Sequence, residues 1–491
     1  MPREIITIQV GQWGNQIGLK FWEQALQEHK NQQVYDDSLS SFFRNGVMNG
    51  EFFEDYDIGS DITDLKARAI VVDMEWGVIN NKILKGELSD IFESRFCVSD
   101  QSGAGNNWAQ GHFEYGPMYE QEIHEKVRQA TEKCDSLQGF FFLHSLGGGT
   151  GSGLGTYLLK SIGDEYKNNF KFSTWVFPSP ENDDVAVSPY NSMLALNCLI
   201  EHSDWVVPIE NQSLFDISQR IDKLNEYKKQ KGKGKTSLNK QISKDLASAE
   251  ATGGSTITDS KGKGHHFERE NTIVAHVINN MTSSMRFEGS LNVDMNEITM
   301  NLVPFPRLHF LVSSLSPLYQ LINKSWDPRS LDQSFLDALD PNYQLVRTDP
   351  MKSLYLACGL IVRSQNIDIS QVNRGVETLQ EKINMIYWNK EGFKVGIWKK
   401  PPINQDYSIL SLWNSTGIRM TFLHLFQKFK KLYKHKAYLA NYEKFGADTD
   451  HFDLCKENCQ SLIADYAQLE KDGGKEAEEV PIDEMSFDPI I

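Results

Sequence analysis

The heptapeptide Gly147-Gly148-Gly149-Thr150-Gly151-Ser152-Gly153 constrains this chain more than any other stretch, because it follows the apolar run Gly139 to Leu143 and leads into Leu154-Gly155-Thr156-Tyr157-Leu158-Leu159. The order reads as strand, glycine loop, helix. Glycines let successive backbone N–H groups converge on one point with no Cβ in the way, and the helix start adds its positive dipole end. Such a loop suits an anion, phosphate first, although a glycine cluster also closes an ordinary tight turn. No Gly-Lys-Ser/Thr follows, so the loop is not a Walker A, and no register of it fits the Gly-x-Gly-x-x-Gly dinucleotide spacing.

The same grammar recurs. Ile5 to Val10 leads into Gly11-Gln12-Trp13-Gly14-Asn15-Gln16 and an amphipathic helix to about His29; Ala69 to Val72 leads into Asp73-Met74-Glu75; and Gln101-Ser102-Gly103-Ala104-Gly105-Asn106-Asn107-Trp108 is a further glycine and amide loop. With strands at Phe172 to Phe177 and Trp205 to Ile209, alternating strands and helices predict a parallel sheet with its ligand at the carboxyl ends of the strands. Asp73 and Glu75, at a strand end, would hold a hydrated Mg²⁺ against phosphates that no loop lysine neutralises; the same pair also reads as a solvated acidic strand end.

At 491 residues, 40% of them hydrophobic, the chain is long enough for two or three packed domains. A formal charge of −16 argues against a nucleic-acid binder, which needs a basic face. Cys97, Cys134, Cys198, Cys358, Cys455 and Cys459 lack paired zinc spacing, which points to free thiols in a reducing, cytosolic setting. No apolar run reaches membrane-spanning length, so no membrane insertion is expected. From Tyr227 to His266 lysines and glycines displace large apolar residues, the composition of a flexible loop. Beyond it, Ile273, Val277 and Met281 mark a helix face; Leu308 to Val312, Leu354 to Val362 and Lys394 to Trp398 read as strands. Phe422, Leu425, Phe426, Phe429, Leu432 and Tyr433 define one face of a long helix whose other face carries Lys428, Lys431 and Lys434. Periodicity fades from Ala464 toward an expected mobile tail.

Taken together, the glycine loop, Gly11 to Gln16, Gly103 to Trp108, Arg286-Phe287-Glu288-Gly289-Ser290-Leu291-Asn292 and Asn301-Leu302-Val303-Pro304-Phe305-Pro306-Arg307-Leu308-His309-Phe310 resemble tubulin over nearly the whole chain. Ser41 to Asn45, Asp73 to Gly77, Asn211 to Asp216 and the lysine-rich insertion most resemble the ε class of that family. The resemblance implies an α/β, tubulin-like fold: a parallel-sheet nucleotide-binding domain at 1–226, the insertion at 227–266, a central helix at 267–286, a second α/β domain at 287–405, C-terminal helices at 406–470 and a tail at 471–491. It implies GTP or GDP with Mg²⁺. Gln12, Asn106, Ser145 and the loop residues Gly147, Gly148, Gly149, Thr150 and Gly151 would face phosphate, Glu75 with Asp73 the metal, Asn211 and Asn271 the guanine edge, and Phe267 the base face; Asp184 completes the nucleotide set. A carboxamide offers both donor and acceptor to guanine, although lone asparagines also serve as turn or cap residues.

Glu297 matches the acidic position of α-tubulin, so the resemblance gives it a catalytic role in trans, on the nucleotide of the next stacked subunit; without the family it reads as an exposed helix-face carboxylate. Two departures stand out. The stretch Val185-Ala186-Val187-Ser188-Pro189-Tyr190-Asn191 carries a serine where wall-forming tubulins have the glutamate near the ribose, and Pro317 to Pro328 is shorter than the loop making lateral contacts. The family implies a cytoskeletal protein of centrioles and basal bodies that supports doublet and triplet microtubules, with δ-tubulin or the α/β-tubulin polymer as partner. A self-assembling filament GTPase and a non-hydrolysing, GTP-stabilised adaptor are the alternatives. The lysine-rich loop would dock on acidic polymer or serve as a solvated tether.

Overall fold

The computed structural model describes residues 3–50, 52–178, 185–231, 267–291, 295–318 and 330–473. Strands β1 (Glu4–Val10), β5 (Ala69–Asp73), β6 (Cys97–Ser99), β7 (Leu137–Ser145), β8 (Phe170–Phe177) and β9 (Trp205–Glu210) form one sheet in the order β6-β5-β1-β7-β8-β9, every pairing parallel. All seven residues of β1 are buried, as expected where helices cover both faces of a parallel sheet. The two-residue period sorts them: Ile5, Phe141 and Leu143 pack with Ile17, Phe21 and Trp22 of helix α1 (Gly11–His29) on one face. Ile6, Ile8, Phe140 and Phe142 pack on the other against helices α2 (Gly116–Thr131), α3 (Gly155–Glu165) and α4 (Ser188–His202).

Strands β2 (Phe43–Asn49), β3 (Phe52–Asp55) and β4 (Asp64–Ala67) make a small antiparallel sheet that no sequence pattern announced. Buried Arg44 on β2 hides the strand signal, and its charge is answered by Asp55 at 2.7 Å and Glu93 at 2.6 Å.

Helix α5 (Asn211–Lys231) leaves β9, so the expected insertion boundary at 227 falls inside a helix. Central helix α6 (Glu268–Met281) ends earlier than expected. Thr282 follows, its hydroxyl donating to the Ile278 carbonyl at 2.9 Å, and a short turn, Ser283–Arg286, completes the segment. The second sheet contains β10 (Gly289–Leu291), β11 (Leu311–Ser316), β12 (Leu354–Ser364), β13 (Asn384–Met385), β14 (Phe393–Trp398) and β15 (Tyr407–Ser415), in the order β10-β14-β12-β15-β11 with β13 beside β12. Helices α7 (Met295–Leu302) and α8 (Ile369–Gln380) accompany it, and α9 (Arg419–Lys434) with α10 (Thr449–Asp472) forms the C-terminal hairpin.

Three expected boundaries move for identifiable reasons. The strand placed at Leu308 to Val312 starts at Leu311, because a turn holds the Leu308 N–H to the Phe305 carbonyl at 2.9 Å. The boundary at 406 cuts off β15, which is wholly buried between β12 and β11; its Ser408, Ser411 and Asn414 disguise it, yet Ser411 meets Ser314 at 2.5 Å, Ser408 donates to Asn280 at 2.7 Å, and Asn414 Nδ2 donates to the Leu302 and Leu308 carbonyls, each at 2.7 Å. Helix α10 continues past Ala464 to Asp472 and buries Leu462 and Tyr466 on the hairpin core. Residues 232–266, 319–329 and 474–491, and with them most of the insertion, of the Pro317 to Pro328 loop and of the tail, lie outside the described residues.

One buried ion cluster ties these layers together. Glu28, at the end of α1, accepts from Arg286 at 2.6 Å and from Arg363 of β12 at 2.8 Å, and both guanidinium side chains are fully buried.

Candidate nucleotide site

Chain reversal at β1 creates the site, since the chain moves from β1 to β5 on one side while β7 flanks the other. A parallel sheet opens a crevice at such a switch point, beyond the carboxyl ends of its strands. The loops after β1 and β7 meet there. Gly11 has φ of +75°, and a Cβ on it would lie 3.0 Å from the Gly151 amide nitrogen. A Cβ on Gly14 would lie 2.1 Å from the Leu143 carbonyl oxygen, so α1 seats directly against the end of β7.

Within the glycine loop the residues divide by what surrounds them. A Cβ on Gly151 would strike Ser145 Oγ at 2.8 Å, and one on Gly149 would strike the Ala104 carbonyl at 2.6 Å and the Asn107 amide at 2.7 Å. Those glycines exist for close packing. Gly148 differs: the nearest atoms to its hypothetical Cβ are Asn106 Oδ1 and Ser145 Oγ, both at 3.9 Å. A concavity walled by these two side chains and floored by glycine backbone is therefore open at Gly148, with the turn Thr150–Leu154 leading into α3 beneath it. A phosphate fits that cradle on charge, polarity and space.

What holds the loops is a residue that sequence reading passed over except as part of a motif. Asn191, fully buried near the start of α4, donates from Nδ2 to the Asn106 and Gly147 carbonyls, each at 2.8 Å. Its Oδ1 accepts from the Trp108 amide at 2.9 Å and from the Tyr442 hydroxyl at 2.6 Å. All four hydrogen-bonding positions of one carboxamide are used, and they join the glycine loop, the amide loop and the C-terminal hairpin. A second tie runs from Asn107 Nδ2 to the Asn441 carbonyl at 2.9 Å. Burial pulls the His112 imidazole down to about 4, so the neutral ring donates from Nδ1 to the Gly153 carbonyl at 3.2 Å. Ser188, expected to replace a sugar-binding carboxylate, is instead fully buried with its Oγ 3.1 Å from where a Gly147 Cβ would stand.

Asp73 and Glu75 follow β5 on the neighbouring side. Burial, assisted by the Glu75 charge and opposed by the Glu75 amide donating at 3.3 Å, pushes the Asp73 carboxyl up to about 6. Its Oδ2 is buried without a hydrogen-bond partner. The exposed Glu75 carboxylate lies against the amide loop, 2.9 Å from where a Gly103 Cβ would stand, and borders a cavity of about 890 Å³ shared with Trp76, Ser99, Asp100 and Gln101. Among the described residues no group of three or more metal-ligating side chains exists. Two carboxylates, one with an orphaned oxygen, suit Mg²⁺, which ordinarily takes one or two carboxylates together with phosphate and water.

The base-side candidates lie at the starts of α5 and α6. Asn271 is buried on α6 and its Nδ2 lies 3.5 Å from Gln16 Oε1, one turn along α1 from exposed Gln12. Half-buried Asn211 opens α5, and Phe267, 61% exposed, immediately precedes α6. Asp184 lies outside the described residues. Glu297 sits in the first turn of α7, in the second α/β unit rather than in the cleft, and its Oε2 is 3.0 Å from Lys394 Nζ of β14.

Residues 4–219 match the Tubulin/FtsZ family GTPase domain, which takes in the whole parallel sheet, and residues 306–427 match the tubulin C-terminal domain. The tubulin epsilon chain of Mus musculus is 46% identical over 97% of this chain and 98% of its own length. The chain belongs to the tubulin family. The tubulin epsilon chain of Homo sapiens is likewise 46% identical, over 97% of this chain and 98% of its own, whereas the tubulin alpha-3 chain of Saccharomyces cerevisiae is 32% identical over 96% and 98%. Resemblance to the ε class thus exceeds that to an α chain across the same span. Membership in this family makes the protein a cytoskeletal tubulin with a guanine-nucleotide-binding GTPase domain.

Proposed function

We propose that this tubulin binds GTP with Mg²⁺ in the cleft between the β1 and β7 loops and acts at centrioles and basal bodies in organising doublet and triplet microtubules, with δ-tubulin or the α/β polymer as partner. The observation that carries the nucleotide reading is the opening at Gly148, bounded by Asn106 and Ser145 while neighbouring glycines are packed shut. In this reading the backbone amides of Gly147 to Gly151 and the Gln12, Asn106 and Ser145 side chains hold the phosphates, with Asp184 as a further contact. Asn211 and Asn271 read guanine, and Phe267 covers the base. Asp73 and Glu75 orient the metal's water shell, and bound Mg²⁺ supplies neutralisation of the phosphate charge.

Hydrolysis, where it occurs, is completed across a longitudinal contact. Glu297 of one subunit meets the nucleotide of the next and accepts a proton from the attacking water. Its ion pair with Lys394 supports a second reading, the non-hydrolysing adaptor, because the carboxylate is engaged within its own chain. Equilibrium competition of GTP against ATP on the purified chain tests the site, and equal affinity for both would overturn it. Phosphate release measured with and without candidate tubulin partners, on wild type and Glu297→Ala, separates the two readings. Stimulated release that disappears in the variant supports hydrolysis in trans, and stimulated release that survives removes Glu297 from the mechanism. No release in any mixture favours the adaptor.

A further inference from the structure

The C-terminal hairpin presents a surface that the nucleotide reading leaves unused. Residues 421–447 contain six lysines against one glutamate, in a chain whose formal charge is −16. Lys430, Lys431, Lys434, Lys436 and Lys444 are all exposed, and among the described residues none of these five forms an ion pair. Lys430 and Lys434 are four apart along an exposed edge of α9 flanking buried Phe422, Phe426 and Phe429, and Lys431 lies on the far side of the helix, four residues before His435, which follows its end. Like charges at that spacing repel one another. The helix C-terminus accounts for Lys431 and Lys434 through its dipole, but Lys436 and Lys444 stand beyond it. Exposed Tyr438 and Leu454 border the cluster with apolar surface.

We infer that this end of the hairpin is a docking surface for a glutamate- or aspartate-rich segment of a second protein. Complementary charge is the first argument. Extent is the second: from Gln427 to Lys434 the helix advances about 10 Å, the footprint of a short peptide. An extended polyanion such as duplex nucleic acid or an anionic bilayer would be repelled by the acidic remainder of the molecule, and lysines alone lack the planar fork that favours phosphate. Orientation is the third. Arg419 pairs with Glu470 at 2.6 Å at one end of the hairpin, while the Tyr433 hydroxyl donates to the Thr449 carbonyl at 3.4 Å at the other. The lysines therefore stand at the opposite end from Gly473, where the described chain stops; Asp450 and Asp453 near the start of α10 also act on Tyr433 there, and the six lysines outnumber them.

Anisotropy titration of a fluorescein-labelled twelve-residue glutamate-rich peptide with the full chain tests this. Affinity should fall on the order of tenfold in Lys430→Glu/Lys431→Glu/Lys434→Glu, and several-fold as salt rises from about 50 to 200 mM, whereas Lys82→Glu/Lys85→Glu should bind as wild type does. Unchanged affinity in the triple variant overturns the proposal. Tighter binding of a 20-base-pair DNA or of phosphatidylserine vesicles through the same lysines overturns the partner class. Peptide binding that emerges only after truncation behind Gly473 shows that the chain's own acidic segment covers the surface, which overturns the second-protein assignment.

Discussion

Replacing Asn191 with aspartate changes one atom's chemistry and nothing of its shape, which makes it the sharpest test of how the phosphate loops are held. The new carboxylate keeps an acceptor for the Trp108 amide and the Tyr442 hydroxyl but turns a second oxygen toward the Asn106 and Gly147 carbonyls, both 2.8 Å from the lost donor. Two hydrogen bonds at about 1 kcal/mol each disappear, and a buried oxygen faces two acceptors, so the loop pair loses about 3 to 5 kcal/mol. Binding must restore that geometry, so at about 1.4 kcal/mol per decade GTP affinity should fall by about 100-fold or more. Tyr442→Phe removes the 2.6 Å bond from the hairpin and a long 3.5 Å one to the Val187 carbonyl, together about 1 kcal/mol, and leaves the three bonds that span the loops, so affinity should stay within about threefold. Protonation gives the aspartate a donor again, and lowering pH from about 7.5 to 6 should ease the Asn191→Asp defect. Equilibrium titration of a fluorescent GTP analogue at both pH values reads all of this. Wild-type affinity in Asn191→Asp would refute the hub, and an equal loss in both variants would show that the hairpin bond, not the loop bonds, is what matters.

Other expectations follow from the same geometry. Gly148→Ala meets no atom closer than 3.9 Å, so its melting temperature should match wild type while GTP affinity falls at least about tenfold; in Gly14→Ala the new methyl meets a carbonyl at 2.1 Å, and stability should drop by about 3 kcal/mol or more. Intact GTP binding in Gly148→Ala would empty the cradle of meaning. With its carboxyl raised from 3.8 to about 6, folded Asp73 retains a proton that the unfolded chain has released between those values, so its contribution to stability falls as pH rises through that window. Asp73→Asn should then raise stability of the nucleotide-free protein at pH 7 by about 2 kcal/mol, flatten that slope, and abolish the effect of Mg²⁺ on GTP affinity, as thermal melts across pH and a magnesium titration would record. Glu28→Gln strands two buried guanidinium groups and should cost about 3 to 5 kcal/mol in denaturant unfolding, with no direct effect on the nucleotide loops. A loss below about 1 kcal/mol would mean that water reaches Arg286 and Arg363.

The parallel sheet, its loops and the amphipathic helices α1, α6 and α9 were legible in the residues because each rests on a local signal: β-branched runs, glycine punctuation, or an apolar stripe at helical spacing. What escaped were elements whose polarity is answered far along the chain. Strand β15 hides behind serines paired with Ser314 and Asn280, and β2 behind an arginine held by Asp55 and Glu93. The base-side residues were placed by likeness to a family and the metal pair by its position at a strand end, and folding brings Asn271 beside Gln16 and Glu75 beside Gly103, contacts between segments that no periodicity links. The succession of strands and helices along the chain, the backbone freedom of the glycine loop and the acidic balance belong to the sequence, because local pattern, backbone freedom and net charge are properties of residues in a row. That Gly148 stands open within a loop whose other glycines are packed, and that one asparagine holds two loops and a distant hairpin, was decided only by the tertiary structure, since a hydrogen bond requires two groups to meet within about 3 Å however many residues separate them.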